Sequence, residues 1–177
     1  MARLRLLLYI PIPFSLMVLF PYLAAKIGRE LSLPSLGLGA LSHLGLIFFI
    51  PGTLLGLWCM GLLTPREGGT PAPYFPPRKL VLSGPYLYVR NPMILGNLTT
   101  ILGEALYFDS LSILLYLIIL WPIAHLFVLG VEEPQLRARF GQDYLHYAEV
   151  TPRWLPRPRL GKRRRIYTTS TILSNPF

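Results

Sequence analysis

MILGNLTTILGEALYF, residues 93–108, then Asp109, then SLSILLYLIILWPIAHLFVLG, residues 110–130, is the stretch that decides the fold. Two long apolar runs are separated only by Asp109 and its neighbours. A helix rises about 1.5 Å per residue and the hydrocarbon core of a bilayer is about 30 Å thick, so runs of this length read as membrane-spanning helices. With so short a connection they are predicted to form a tight antiparallel helical hairpin.

Upstream, residues 41–63 form another apolar block, bounded by Ser-Leu-Pro-Ser before it and Thr64-Pro65 after it. It contains Gly45, Gly52, Gly56 and Gly61, small residues that let helices approach closely in a membrane. Residues 4–25 form the first block, where Pro11, Pro13 and Pro21 are expected to kink the helix. Its basic start and the small pair Ala24 and Ala25 also resemble a cleavable signal peptide, but three prolines and a long apolar run fit an anchor better. Hydrophobic residues make up 53% of the 177 and charged ones only 14%, which argues against a soluble domain. The fold class read here is all-α: a multi-pass membrane bundle of about four spans, the last two a hairpin, followed by a cytoplasmic carboxyl-terminal helix.

The formal charge of +9 raises nucleic acid as a partner, and the placement of the charges decides against it. Of the 17 basic residues, nine lie between Arg137 and Arg165, four between Arg66 and Arg90, and two are Arg3 and Arg5, leaving Lys26 and Arg29. With the amino terminus inside, 15 face the cytoplasm and two the other side, as the positive-inside rule requires. Both termini are therefore expected in the cytoplasm. Cys59 is the single cysteine, so neither an intrachain disulfide nor a cysteine metal cluster is available, and no metal is expected.

The chain divides into residues 1–63 with two spans, a Pro/Gly-rich loop at 64–92, the hairpin and following segment at 93–160, and a polybasic tail at 161–177. The 29-residue loop holds seven prolines and three glycines, so it is no helix. Its Tyr74, Phe75, Tyr86 and Tyr88 are unlike a disordered linker, and it reads as an ordered structure against the bilayer. After residue 130, Glu132-Glu133-Pro134 opens a polar helix to about Ala148, with Leu136, Phe140, Tyr144 and Tyr147 at helical spacing on one face. Lys162 to Arg165 read as a segment held by anionic lipid.

Three polar groups converge on the cytoplasmic boundary. They are Arg90-Asn91-Pro92 where the third span begins, Glu132-Glu133 where the fourth ends, and Pro152-Arg153-Trp154-Leu155-Pro156. If the helix is continuous, His125 and Glu132, seven apart, lie on one face. Each group also has a plainer reading, as interfacial tyrosine and tryptophan anchors, a helix-dipole cap, or a snorkelling arginine. Asn97 and Glu104 lie within the third span, and Glu104, near its outer end, is read as structural.

Several of these motifs, in order, resemble the isoprenylcysteine carboxyl methyltransferase and phospholipid methyltransferase group. They are Gly69-Thr70-Pro71-Ala72-Pro73, Leu80 to Tyr86, Arg90-Asn91-Pro92-Met93 with Gly96, His125 to Val128, Glu132-Glu133-Pro134, Leu136-Arg137, Phe140-Gly141, Tyr144, Tyr147 and Pro152 to Pro156. The resemblance covers residues 69–156, about half the chain. It implies an integral membrane enzyme that uses S-adenosylmethionine at the cytoplasmic face and takes a lipophilic small-molecule or lipidated acceptor sideways from the membrane lipids. It assigns the chemistry to Arg90, Glu133 and Arg153. It assigns the cofactor to Thr70, Tyr88, Asn91, Pro92, His125, Glu132 and Glu133. The chain departs from the group's usual residues at Leu87, Ile94 and Val150, which points away from prenylcysteine in particular. Two other readings stay open: a non-catalytic membrane protein that binds lipid or a partner, and a nicotinamide-dependent reductase of the related sterol-reductase type.

Overall fold

The computed structural model of the chain describes residues 15–63 and 80–156. Among these residues every regular element is a helix, and the β-type contact present is an isolated bridge between Ser35 and Ser110. A π turn at Ser15–Leu19 leads into α1 (Phe20–Glu30), and a 3-10 turn at Gly39–Gly45 leads into α2 (Leu46–Leu63). A short 3-10 turn, Gly84–Leu87, precedes α3 (Pro92–Tyr107). Then come α4 (Leu111–Phe127), a π turn at Val128–Glu132, and α5 (Glu133–Val150). Two stretches, Gly39–Leu63 and Leu111–Val150, are long and apolar enough to cross a membrane.

The most extensive helix contact is between α2 and α3, and glycine makes it possible. A Cβ on Gly52 would lie 2.6 Å from the Thr100 amide nitrogen and 2.8 Å from the Gly96 carbonyl oxygen. Gly96 and Gly103 in turn face the backbone of α2 at Gly52, Gly56 and Phe49. Thr100 Oγ1 donates to the Gly96 carbonyl at 3.0 Å and meets Thr53 Oγ1 at 3.3 Å, so its hydroxyl is satisfied inside the contact. The hairpin between α3 and α4 turns at Asp109, whose φ of +50° is a left-handed conformation that aspartate tolerates. Asp109 also accepts the Leu38 amide at 3.1 Å through Oδ1 and the Leu36 amide at 3.3 Å through its carbonyl, which ties the hairpin to the α1–α2 connection. Ser110 then caps α4 by accepting the Ile113 amide.

Several sequence expectations change here. Lys26 and Arg29 are not in a connecting loop, because α1 runs on to Glu30, through residues with good helix propensity. Pro21 stands in the first turn of α1, directly after the π turn at Ser15–Leu19. Pro11 and Pro13 lie outside the described residues, as does the loop over 64–79. The polar helix extends to Val150 but is broken at Gly141, whose φ of +52° and ψ of −125° suit glycine alone. The face drawn through Leu136, Phe140, Tyr144 and Tyr147 therefore does not run straight: Tyr144 and Tyr147 are buried, while Leu136 and Phe140 are half-buried. Among the described residues no atom stands within 4 Å of a Cβ placed on Gly141, so Gly141→Ala is expected to cost about 1–3 kcal/mol from backbone strain alone. A thermal melt in detergent checks this, and an unchanged midpoint would mean the kink relaxes without penalty.

The expectation that His125 and Glu132 share a face is also corrected. The π turn between them inserts one residue, which rotates the rest of the helix by about 100°. Glu133, eight residues from His125, takes the place that an unbroken helix gives Glu132.

Candidate active site at the end of the hairpin

Because α3 and α4 are antiparallel, the start of α3 and the end of α4 come to the same end of the bundle. Gly84, with φ +55°, turns the chain against Trp58 and Leu62 of α2 and starts the 3-10 turn. Tyr147 Oη of α5 donates to the Tyr86 carbonyl at 2.7 Å. The Arg90 amide donates to the Pro152 carbonyl at 2.8 Å, and Asn91 Nδ2 reaches the Arg153 carbonyl at 3.4 Å. The segment after α5 is thereby laid across the residues that open α3. Pro92 begins that helix, where a fixed φ is pre-set for the first turn.

Glu133, buried at the start of α5, is the centre of the site. Its Oε1 receives Arg90 Nη1 at 3.1 Å and Arg153 Nε at 2.7 Å, and its Oε2 receives Arg153 Nη2 at 3.1 Å. The Arg153 pair is bidentate, the strongest arrangement available to these groups. Arg137, one turn along α5, stands 3.7 Å from Oε2, an ion pair beyond hydrogen-bond reach. Burial pushes the Glu133 carboxyl up, but the hydrogen bond from Arg153 and the charges of Arg90, Arg153 and Arg137 outweigh it, so its pKa lies below the ordinary carboxylate range. Arg90 also hydrogen-bonds Tyr144, which is buried beneath the cluster.

Glu132, the last residue of the π turn, enters no ion pair among the described residues. Burial, followed by the charge of Glu133 beside it, pushes its carboxyl up to about 7. It also faces Tyr86, whose phenol is pushed up first by burial and then by Cys59 and Glu132, and whose side chain hydrogen-bonds Cys59. One turn before the π turn, His125 Nδ1 pairs with Trp154 Nε1 at 3.0 Å, so that nitrogen is the acceptor. Trp121 stacks on His125 with centroids 6.3 Å apart and packs on Trp154 at 4.8 Å.

Arg90, Glu133 and Arg153 thus meet directly, and Asn91 and Pro92 stand at the start of α3, against the strap formed by residues 152–156. His125 and Glu132 flank them from α4 and the π turn. Tyr88 lies exposed just past the 3-10 turn, and Thr70 is outside the described residues. Arg137, Tyr144 and Trp121 went unremarked as site residues. Arg137 carried a usable signal, since it lies four residues after Glu133 on a helix.

An all-helical membrane protein with a buried ionic cluster at one end of its hairpin is the class these features define. The phospholipid methyltransferase family matches residues 41–143, and the chain belongs to it, which bears out the likeness to the isoprenylcysteine and phospholipid methyltransferases. The match includes Arg90 and Glu133 and stops short of Arg153. Among individual proteins, the cobalt-zinc-cadmium resistance protein CzcN of Cupriavidus metallidurans is 29% identical over 125 residues, 71% of this chain and 53% of that protein. The chain therefore spans about half the length of this curated relative. No solved structure matches.

Proposed function

We propose that the chain transfers the methyl group of S-adenosylmethionine to a lipophilic carboxylate or amine held in the membrane, at the cytoplasmic interface, from a bundle of about four spans with both termini inside. The observation that carries this reading is the meeting of Arg90 and Arg153 on Glu133 where the hairpin helices begin and end. Family membership supports methyl transfer as the reaction class.

The residues present fit the cofactor. Its carboxylate needs a cation, and Arg90 Nε is buried with no acceptor among the described residues. Its ribose hydroxyls and amino group need acceptors, and Glu132 has a carboxyl free of the arginines that occupy Glu133. When bound, S-adenosylmethionine supplies an electrophilic methyl on a sulfonium. In-line displacement at that carbon requires no metal, so the protein's contribution is chiefly to hold donor and acceptor in line. Glu133 fixes the two arginines, and Asn91 holds the strap that carries Arg153. A carboxylate acceptor needs no base, whereas an ammonium acceptor must first lose a proton, which Glu132 in its ionised form can take.

S-adenosylhomocysteine is expected to bind the detergent-purified protein, and methyl-labelled cofactor is expected to label a lipid in membranes that contain it. Binding without any labelled product would favour the non-catalytic reading, and competition by NADPH the reductase reading. The affinity should also rise with pH, with a midpoint at about 7, as Glu132 ionises and becomes a full acceptor. Glu132→Gln should remove the inflection; an unchanged profile would take Glu132 out of the site. Stability runs the other way: between the ordinary carboxylate pKa and about 7 the folded chain keeps a proton that the unfolded chain has lost, so Glu132 lowers stability as pH rises through that window.

A further inference from the structure

The methyl-transfer reading leaves His125 without a task, although it stands in the last turn of α4 and touches the residue next to Arg153. Its surroundings are well defined. Trp154 Nε1 reaches His125 Nδ1 at 3.0 Å, and an indole nitrogen can only donate, so Nδ1 offers its lone pair and the ring N–H is at Nε2. Trp121, one turn earlier on α4, stacks on the imidazole with the planes 28° apart and fixes its tilt. The Trp154 ring lies 4.8 Å from that of Trp121 and 5.9 Å from that of His125, between centroids, so its indole is held by two ring contacts and one hydrogen bond. Nδ1 is thereby committed to the strap and is not offered to a cofactor or a proton.

What this contact controls follows from the chain, because Trp154 is the residue after Arg153. On the α3 side the strap is held by the Arg90 amide on the Pro152 carbonyl at 2.8 Å and by Asn91 Nδ2 on the Arg153 carbonyl at 3.4 Å, the second near the limit of a hydrogen bond. On the α4 side it is held by Trp154. The Arg153 fork must set Nε at 2.7 Å and Nη2 at 3.1 Å on the two oxygens of Glu133, which requires its backbone to be fixed from both sides. We propose that His125 and Trp154 are positioning residues: the imidazole, acting through the indole, sets the place of the strap on α4 and so keeps the Arg153 fork on Glu133. His125 then touches neither methyl donor nor acceptor, unlike the cofactor contact that the family resemblance implies. The effect on cofactor binding rests on the methyl-transfer reading, whereas the effect on Arg153 does not.

The test uses the full-length, cofactor-free protein in detergent, with its arginine and tryptophan nitrogens isotope-labelled for NMR. The readout is hydrogen exchange at Arg153 Nε, whose signal is the one lost in Arg153→Lys. Trp154→Phe keeps a ring against Trp121 and removes the donor, and His125→Ala removes the acceptor. Each is expected to speed that exchange about tenfold, as the loss of roughly one hydrogen bond's hold on the strap. His125→Asn puts an amide oxygen near the place of Nδ1, and should restore both slow exchange and the Trp154 indole signal. A role of the imidazole as packing alone is not rescued by so small a side chain. Unchanged exchange in Trp154→Phe and His125→Ala overturns the proposal, as does a His125→Asn variant that behaves like His125→Ala. S-adenosylhomocysteine is then titrated, and its affinity should fall about tenfold in Trp154→Phe and return in His125→Asn. Affinity lost in His125→Ala but kept in Trp154→Phe makes His125 a cofactor contact and also overturns the proposal. If the wild type binds none of it while the Arg153 signal responds as expected, the tether stands and the methyl-transfer reading falls instead.

Discussion

Replacing Glu133 by alanine is expected to abolish S-adenosylhomocysteine binding and to cost about 3–5 kcal/mol of stability, the usual result of removing one partner from a buried ion pair. The side chains of Glu133 and Arg90 are 4% and 11% exposed. Without the carboxylate, Arg90 and Arg153 are left close together with no counter-charge and repel each other. Arg153 then has no reason to stay under the strap, and the contacts of Asn91 and Arg90 with residues 152–153 loosen with it. Glu133→Gln keeps the volume and one acceptor oxygen, so it should fold better than the alanine variant yet still bind poorly. Melting curves and cofactor-product titrations of the two variants separate the structural share from the functional one. Wild-type binding by both would remove Glu133 from the site.

The second large effect is expected far from the charges. Gly52→Ala places a methyl group 2.6 Å from the backbone nitrogen of Thr100. The obstacle is main chain and not the end of a flexible side chain, so α2 and α3 must separate along their whole contact. Overpacking of this kind costs about 3 kcal/mol, and the lost Thr53–Thr100 contact adds to it. Gly61→Ala is the control: among the described residues no atom lies within 4 Å of its added methyl, so it should be neutral or stabilise by about 0.5–1 kcal/mol. Equal melting midpoints for the two variants would mean that the glycine contact does not hold the bundle together.

Much of the framework was readable before any coordinates. Hydropathy placed the helix at 41–63 and the hairpin either side of Asp109 because a lipid-facing helix must be apolar all along its length, a pattern that survives without tertiary information. The glycines announced close packing, although which glycine meets which depends on helix register and had no mark in the sequence. At the site, the resemblance named Arg90, Glu133 and Arg153 in advance, and the structure sets them in direct contact. Geometry alone would have favoured Glu132 over Glu133 on the His125 face. The π turn reverses that choice, and one extra residue in a helix leaves no trace in composition. The strap was equally hidden, because it rests in part on a main-chain hydrogen bond from the Arg90 amide to the Pro152 carbonyl, which leaves no mark in residue type.

On α4 only Ile113 is buried, and Ile118, Ile119, Ile123 and Leu126 stand open along the same helix that carries His125 to the site. Hydrocarbon can therefore lie against this helix right up to the ionic cluster. A molecule with long alkyl tails that slides along that surface never has to pull them into water, and it is spared about 0.8 kcal/mol for every methylene. Its tail length would then have little bearing on how readily its polar end arrives.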